Sequence, residues 1–297
     1  MQHKQRVPFW MLIPGLGVLL IFAFMPIAVS VYTSLTNLNV FYLANWATAP
    51  FVGLANYLQV FSPATPVGHG FWSSLAEVLI FTGAAIVIGL PMGMLAALAM
   101  NRPFRGRAWI RILFLLPYAI PIFVSGIVWR FMFLQHIGLV DRLLGIVNPA
   151  AANTFWLIGP HAMLALIMTN VWSSWPFFYL FILGALQSIP KEVYDAAHID
   201  GASETRTFFS ITLPLIKRSL MIATTLSFIY HFNNFTTPFV LFGTTPPPSA
   251  DILPLNIYLF GFSDMQFGSA AAMSILSILI LIIPMALYLR AIRMEEG

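Results

Sequence analysis

The sequence contains no cysteine and very little charge. The missing thiols exclude disulfide bonds and thiolate metal sites. Charged residues make up 8% of the 297 positions, against about 25% in a typical soluble domain, and the mean hydropathy is +0.86. This composition excludes a soluble globular core. The net charge of +4 does not indicate a nucleic-acid partner, because the basic residues lie in short gaps between apolar runs and not on one clustered face.

Motifs for catalysis are also missing. None of the three lysines, Lys4, Lys191 and Lys217, lies in the G-x-x-x-x-G-K-[ST] loop that cradles nucleotide phosphates. There is no H-E-x-x-H, C-x-x-C or nucleophile-elbow pattern either. We therefore expect a chain that is not an enzyme, holds no metal and binds no cofactor itself.

Long apolar runs dominate what the sequence does contain. A membrane-spanning helix needs roughly 20 apolar residues, and six stretches qualify, at about 9–32, 75–100, 112–129, 162–186, 220–242 and 270–289. The first exceeds the apolar core of a cleaved signal peptide and lacks a convincing A-x-A site, so it is expected to remain a helix. We predict an all-α membrane protein with one transmembrane domain, residues 1–297, and six helices. Kinks are expected at Pro91, Pro117, Pro121 and Pro176.

The positive charges are distributed asymmetrically between these runs. With both termini in the cytoplasm, 12 of the 14 Lys and Arg residues fall in cytoplasmic segments, as the positive-inside rule requires. Only Arg130 and Arg142 fall outside. The external segments would then be 33–74, 130–161 and 243–268, with a short amphipathic helix at 54–61. The polar segment 190–214 would face the cytoplasm.

Segment 190–214 is a polar island between the fourth and fifth runs. Ser188 and Pro190 suit the start of a helix, and Gly201 permits the left-handed turn that ends one. A second short helix is expected to begin near Ser203 and to be broken by Pro214. Three apolar side chains are expected to hold it to the membrane domain, namely those of Phe208, Ile211 and Leu213.

The order of residue types in this island resembles the EAA loop of membrane subunits of ATP-binding-cassette (ABC) importers, where the loop docks onto the ATPase. The pattern is an acidic residue with two alanines, a glycine four positions later, and Ile-x-Leu-Pro after nine more residues. It is carried by Asp195, Ala196, Ala197, Gly201, Ile211, Leu213 and Pro214, and Glu192 and Asp200 lie beside it. Asp195 stands where the family has Glu, which shortens the reach of the carboxylate by one methylene.

Other segments are similar to the carbohydrate branch of this family, near the larger maltose-type membrane subunit. They are F-V-G-L-A-N-Y at 51–57, N-N-F at 233–235 and F-G-S-A-A-A at 267–272. The resemblance implies a type I ABC importer fold in a bacterial or archaeal cytoplasmic (inner) membrane. It also implies a second homologous permease subunit in a heterodimer, two ATPase subunits that bind ATP and Mg, an extracytoplasmic solute-binding protein, membrane lipid and a carbohydrate substrate.

Two helical faces carry polar and aromatic side chains at the spacing i, i+3, i+4, i+7. The fourth run has Asn170, Ser173, Ser174 and Phe177, and the fifth has Ser227, Tyr230, His231 and Asn234. Hydroxyl and amide groups beside aromatic rings suit a sugar, and the resemblance aligns these positions with the substrate-lining positions of the maltose-type subunit. The alternative is helix packing, since Ser and Asn often bond between transmembrane helices.

Other functions stay open from the residues alone. The cargo of an importer could be a polyol or glycerol phosphate, although a phosphate would favour Arg or Lys on the two faces. A proton-coupled secondary transporter would use His231, because ionisable groups inside a membrane are usually functional. Inverted repeats or further charged groups at mid-membrane, which such a transporter needs, are not visible.

Overall fold

The computed structural model describes residues 10, 13–148 and 154–295, and most of them are helical. Among these residues the only extended pairing is one antiparallel bridge between Thr36 and Phe51, so the predicted all-α fold is confirmed. The helices are α1 Ile13–Ser34, α2 Ala55–Phe61, α3 Pro66–Asn101, α4 Arg107–Ala119, α5 Ile122–Met132, α6 Leu139–Val147, α7 Ala162–Gln187, α8 Lys191–Ile199, α9 Glu204–Thr207, α10 Leu213–Phe232, α11 Thr236–Phe242, α12 Leu253–Tyr258 and α13 Phe267–Glu295.

Four helices of the described chain are long and apolar enough to cross a membrane by themselves. They correspond to the first, second, fourth and sixth expected spans and lie at Ile13–Ser34, Pro66–Asn101, Gly159–Gln187 and Phe267–Arg290. Pro91 and Pro176 lie inside α3 and α7 without ending them. The third and fifth expected spans are each interrupted, and the interruption of the third lies at Pro121, where a kink was expected.

The third span, expected at 112–129, consists of α4 and α5, whose axes differ by 89°. Ile120 adopts an extended conformation (φ −78°, ψ 129°) and Pro121 precedes the first residue of α5. Proline disfavours a helical conformation in the residue before it and has no N–H to donate. Pro121 therefore accounts for the break, whereas Pro117 lies within α4.

The fifth span, expected at 220–242, is interrupted between α10 and α11. The Asn234 side chain occupies the gap and accepts the backbone N–H of Thr237 at 3.1 Å. An amide side chain that captures a backbone donor offers the chain an alternative to a continuous helix. A further short apolar helical stretch, Leu253–Ser263, lies in the segment that was expected to be an external loop.

Residue contacts group the chain into two compact units. The smaller contains the described residues up to Trp72 and Ile257–Ile280, and the larger contains Ser73–Asn256 and the described residues from Leu281 onward. Helix α2 belongs to the smaller unit and confirms the short helix expected at 54–61. The single transmembrane domain and the external position of α2 stay predictions.

The core of the larger unit lies where α3, α7 and α10 pack together. Fully buried side chains such as Phe178, Tyr179 and Ile182 of α7 meet Ala97 of α3 and Ile216 of α10. Gly93 allows a close approach of α3 to α7, because a Cβ there would lie 2.7 Å from the backbone nitrogen of Tyr179. Small residues at helix contacts let membrane helices approach closely and gain van der Waals contact.

Asp141 organises the segment that joins α5 to α7. Its carboxylate is 2% exposed and accepts three N–H groups, from the Trp156 indole at 2.9 Å and from the backbones of His136 and Thr154 at 3.1 and 3.3 Å. A buried carboxylate is tolerated only when such donors replace its water. Asp141 is thus a structural anchor of this segment.

The contact at Gly93 can be tested by substitution. Gly93→Ala is expected to destabilise the protein by about 1–3 kcal/mol, because the added methyl group meets backbone atoms that cannot rotate away. Gly83→Ala, in the same helix, is the matched control, since nothing lies within 4 Å of its Cβ position. Thermal unfolding of the purified protein in one detergent would compare the two variants. Equal midpoints for both would contradict the close contact.

Candidate functional site

The polar island contains the expected helix and turn. Helix α8 ends at Ile199, and Gly201 follows with φ +70°. The N–H of Ala202 bonds to the carbonyl of Ala197 at 3.0 Å, and that of Gly201 to His198 at 3.1 Å. This pair of bonds is the Schellman motif, which requires a left-handed residue after the helix. The left-handed turn at Gly201 is confirmed.

The start of α8 differs from expectation. Ser188 does not cap it, because its hydroxyl donates to the carbonyl of Ala185 at 2.7 Å and so completes the end of α7. Pro190 directly precedes α8, and no side chain caps that helix. Three residues connect α7 to α8. Of the two residues expected at the helix start, Pro190 is at the start of α8, whereas Ser188 is at the end of α7.

The second half of the island is continuous with the fifth span. Ser203 begins α9 and accepts the N–H of Arg206 at 3.3 Å, as predicted. One π-helical turn, Phe208–Thr212, then leads directly into α10. The prediction that Pro214 breaks the helix is wrong, because it lies in the first turn of α10 just after the π turn. In the π turn the backbone hydrogen bonds run from residue i+5 to residue i. This local change of the hydrogen-bond pattern lies directly before Pro214, which has no N–H to donate.

The polar face of the island is exposed. Glu192, Asp195 and Asp200 are exposed acids that form no ion pair or side-chain hydrogen bond in the described chain, and Ile199 is 87% exposed. Of the two alanines, Ala196 is exposed, whereas Ala197 is 5% exposed and faces the protein's own interior. The exposed side therefore combines negative charge with apolar surface, as a docking face does.

The opposite side of the island packs against the larger unit. Phe208 and Leu213 contact its core, and Ile211 is half-buried. The hydroxyls of Tyr194 and Thr212 lie 3.3 Å apart and join α8 to the π turn. Arg102, after α3, forms a 2.7 Å ion pair with Glu204, but both side chains are more than 70% exposed. Such a surface pair contributes about 1 kcal/mol at most.

The two predicted polar faces meet around one cavity in the larger unit. Its volume is about 230 Å³, and among the side chains that line it none is acidic, lysine or arginine. Five of the eight predicted residues line it, namely Ser174, Phe177, Ser227, Tyr230 and His231. Tyr118 and Leu226 complete the lining and were not predicted. Tyr118 lies between Pro117 and Pro121. These two prolines were the sequence feature that could have indicated a helix break at which Tyr118 reaches the cavity.

The other three predicted residues do not line this cavity. Asn170 is fully buried and Asn234 is 6% exposed. The Nδ2 group of Asn234 donates to Oδ1 of Asn170 at 2.8 Å, and Nδ2 of Asn170 lies 2.9 Å from Nδ1 of His231. Ser173 bonds back to the carbonyls of Thr169 and Asn170. Helix packing, the alternative considered for these faces, thus describes Asn170, Ser173 and Asn234.

The direction of this chain of hydrogen bonds determines the state of His231. The backbone N–H of Thr237 can only donate, so the Asn234 side chain must present its oxygen there and its nitrogen to Asn170. Asn170 then has only its nitrogen left for His231, whose Nδ1 must accept. A protonated imidazole has no acceptor. The geometry therefore holds His231 neutral, with its proton on Nε2.

Residues 89–293 match the family described as binding-protein-dependent transport system inner membrane component. The chain belongs to this family. It is therefore a multi-pass permease subunit of an inner-membrane transport system and not an enzyme. Membership implies that the permease works with a binding protein and an ATPase.

Similar proteins cover nearly all of the permease. The trehalose/maltose transport system permease protein MalF of Thermococcus litoralis is 33% identical over 99% of this chain and 96% of its own length. The sulfoquinovosyl glycerol transport system permease protein SmoG of Agrobacterium fabrum is 32% identical over 91% and 85%. The sn-glycerol-3-phosphate transport system permease protein UgpA of Yersinia pestis is 30% identical over 93% and 90%.

Solved structures show the same fold. A chain of the bacterial alginate ABC transporter, in complex with its alginate-bound periplasmic protein, superposes with a TM-score of 0.79 at 21% identity and covers 94% of the permease and 91% of that chain. A chain of the MetNI methionine ABC transporter gives 0.53 at 18% identity, over 76% and 94%. The predicted type I ABC importer fold is confirmed.

A second carboxylate, which is partly buried, lies outside the spans at Asp251. Its Oδ2 accepts Nδ2 of Asn256 at 2.6 Å, whereas its Oδ1 is buried without a hydrogen bond. Burial raises the pKa of Asp251 to about 6; the bond from Asn256 opposes this rise, and the charge of Glu77 adds to it. The ionised form is therefore disfavoured in the folded state.

Replacing Asn170 tests the hydrogen-bond chain. Asn170→Leu keeps the side-chain size but leaves Asn234 and His231 without their partner, and it is expected to destabilise the permease by about 1–3 kcal/mol. Ser173→Ala is the matched control, because that hydroxyl bonds only within its own helix. The measurement is thermal unfolding of the purified protein. A midpoint for Asn170→Leu no lower than that of Ser173→Ala would refute the role of this chain.

The pKa of Asp251 predicts a pH dependence of stability. Because the folded-state pKa is raised, the protonated form stabilises folding, and this contribution is lost as the pH rises from about 4 to 6, by about 3 kcal/mol. Asp251→Asn is expected to raise the unfolding temperature at pH 7.5 and to flatten its dependence over that interval. Asp264→Asn, at an exposed aspartate, serves as control. An unchanged pH profile in Asp251→Asn would contradict the raised pKa of Asp251.

Proposed function

We propose that this permease forms half of the translocation pathway of an ATP-driven importer for neutral carbohydrates. The observation that carries the proposal is the cavity of about 230 Å³ between α4, α7 and α10. Its hydroxyls from Ser174, Ser227 and Tyr230 can exchange hydrogen bonds with sugar hydroxyls, and the Phe177 ring can pack on the C–H face of a pyranose.

The absence of charge from the cavity lining discriminates between classes of cargo. A phosphate or sulfonate group requires Arg, Lys or a cluster of backbone N–H groups to replace its water, and no cationic side chain lines the cavity. His231 adds no charge, because its hydrogen bonds hold it neutral. Glycerol phosphate, which the printed name of the relative UgpA makes a second candidate, is anionic and fits this lining less well. A polyol is neutral, and the charge of the lining does not separate it from a sugar.

Neutral His231 also argues against a proton-coupled transporter. A proton on Nδ1 of His231 would need an acceptor, so the side-chain amides of Asn170 and Asn234 would both have to flip. The Asn234 nitrogen would then face the backbone N–H of Thr237, which is also a donor. Such a reversal leaves a buried donor unsatisfied, at a cost of about 1–3 kcal/mol. His231 is better suited to orient a sugar hydroxyl through its remaining ring nitrogen.

The assembly proposed around the permease follows the family pattern. A second, homologous permease subunit completes the pathway as a heterodimer, and a solute-binding protein delivers sugar from outside. Two ATPase subunits bind ATP and Mg in the cytoplasm and dock on the exposed face of Glu192, Asp195, Ala196 and Asp200, with both termini of the permease on the same side. Closure of the ATPases moves segment 190–214 and switches the cavity between inward and outward access.

The coupling role is tested at Gly201. Gly201→Val is expected to lower sugar-stimulated ATP hydrolysis about tenfold or more, because a β-branched residue is strained at φ +70°. Gly201→Asn is the matched control, since asparagine adopts this conformation at little cost and nothing lies near the added Cβ. ATP hydrolysis by the purified assembly in lipid would be measured with the binding protein and with neutral sugars, polyols or glycerol phosphate.

The outcomes separate the candidates. Stimulation by a neutral sugar that is retained in Gly201→Asn and lost in Gly201→Val supports the proposal. Stimulation only by glycerol phosphate would refute the neutral cargo but keep the importer. If no ATPase subunit copurifies and a proton gradient drives uptake equally in both variants, the ATP-driven mechanism is wrong.

A further inference from the structure

A second cleft lies in the smaller unit, near the start of α13. Its volume is about 370 Å³, and it lies between the segment after α1, helix α2 and the turn before α13. Asn56 of α2 holds one wall by donating to the carbonyls of Ser34 and Thr36 at 2.8 and 2.9 Å. The N–H of Gly268 donates to the carbonyl of Leu38 at 3.0 Å. The cleft is thus built by tertiary hydrogen bonds.

Gly268 is required for this construction. A Cβ at this position would overlap the carbonyl oxygen of Thr36 and lie 3.0 Å from Nδ2 of Asn56. The absence of a side chain therefore lets the first turn of α13 approach the segment after α1. This approach brings Ser269 and Gln266 to the same cleft as Asn56.

Several polar groups in the cleft have no partner within the described chain. Ser269 is only 8% exposed as a residue, but its hydroxyl is open to the cleft and forms no hydrogen bond within the described chain. A hydroxyl that is open and has no protein partner can both donate a hydrogen bond to a ligand and accept one from it. The side chains of Asp264 and Gln266 are exposed at the cleft and also form no hydrogen bond. The cleft therefore offers a hydroxyl, an amide and a carboxylate together.

An aromatic ring stands beside these groups. Phe41 lines the cleft and is 87% exposed, so its ring is accessible to a ligand. Its position is fixed from the backbone, because its N–H donates to Oδ1 of Asn39 at 3.0 Å. No Lys, Arg or His lines the cleft, and Asp264 is its only charged residue. This chemistry suits a neutral polyhydroxylated ligand and opposes an anionic one.

We propose that this cleft is a second carbohydrate site of the permease, separate from the cavity at Ser174 and Tyr230. Phe41 packs on the C–H face of a sugar ring, and Ser269, Gln266 and Asp264 bind its hydroxyls. The proposal rests on the proposed function, which makes the cargo a neutral sugar and the segments 33–74 and 243–268 external. The cleft then binds sugar on the external side.

The test is photolabelling of the whole assembly in lipid nanodiscs, without the binding protein, by maltose and trehalose that carry a diazirine. Peptides that contain residues 264–269 are expected to be labelled, and free sugar should compete. Phe41→Ala and Gln266→Ala should each reduce this label about three- to tenfold, as the loss of one contact of about 1 kcal/mol predicts. Phe61→Ala removes a ring that is also exposed but lies outside the cleft, and it should leave the label unchanged.

Labelling of residues 226–231 in the same samples separates the two proposals. If these residues are labelled and 264–269 are not, the second site is wrong while the proposed transport stands. Cleft labelling that is insensitive to Phe41→Ala and Gln266→Ala, or that falls equally in Phe61→Ala, also refutes the site. If neither peptide is labelled and neither sugar stimulates ATP hydrolysis, both proposals fail for these sugars.

Discussion

The donor and acceptor directions along one chain of hydrogen bonds determine how the helices of the larger unit meet around its cavity. It begins at the backbone N–H of Thr237, which can only donate, and passes through Asn234 and Asn170 to His231. The Asn234 oxygen accepts from Thr237 and its nitrogen donates to Asn170. The Asn170 oxygen accepts that bond, and its nitrogen donates to His231. The interruption of the fifth span, the junction of α7 with α10 and the neutral ring in the cavity wall therefore depend on one another.

Interrupted helices are possible here because their free backbone groups find partners in protein. In a bilayer an unsatisfied N–H or carbonyl costs several kcal/mol, so non-helical backbone persists only where protein or a cavity surrounds it. At the fifth span Asn234 takes the donor of Thr237. At the third, the 89° bend after Ala119 follows the turn of α4 that carries Tyr118, which lines the cavity. Helix breaks thus supply both polar partners and part of the lining.

Backbone conformation was predictable from the sequence where it depends on a single residue. Gly201 was expected to be left-handed, and Ser203 to begin a helix, because those conformations follow from the residue itself. The faces of α7 and α10 were also identified by their spacing. Spacing alone did not separate Asn170 from Ser174, because both lie on one broad face and only tertiary contacts determine which side chain meets a neighbour. The role of Pro214 was misjudged, since the π turn before it depends on that packing.

A continuous helical segment connects the polar island, residues 190–214, to the cavity. From Glu204 the chain is helical without interruption through the π turn and α10 to Phe232, so the second half of segment 190–214 and the cavity residues Ser227, Tyr230 and His231 share one element. At 1.5 Å per residue, Leu213 and His231 are separated by roughly 27 Å along this axis. A helix of that length is stiff, so a displacement at Ile211 reaches the cavity as a movement of α10. Because His231 is bonded to α7 through Asn170, any such movement must either carry α7 with it or break that bond.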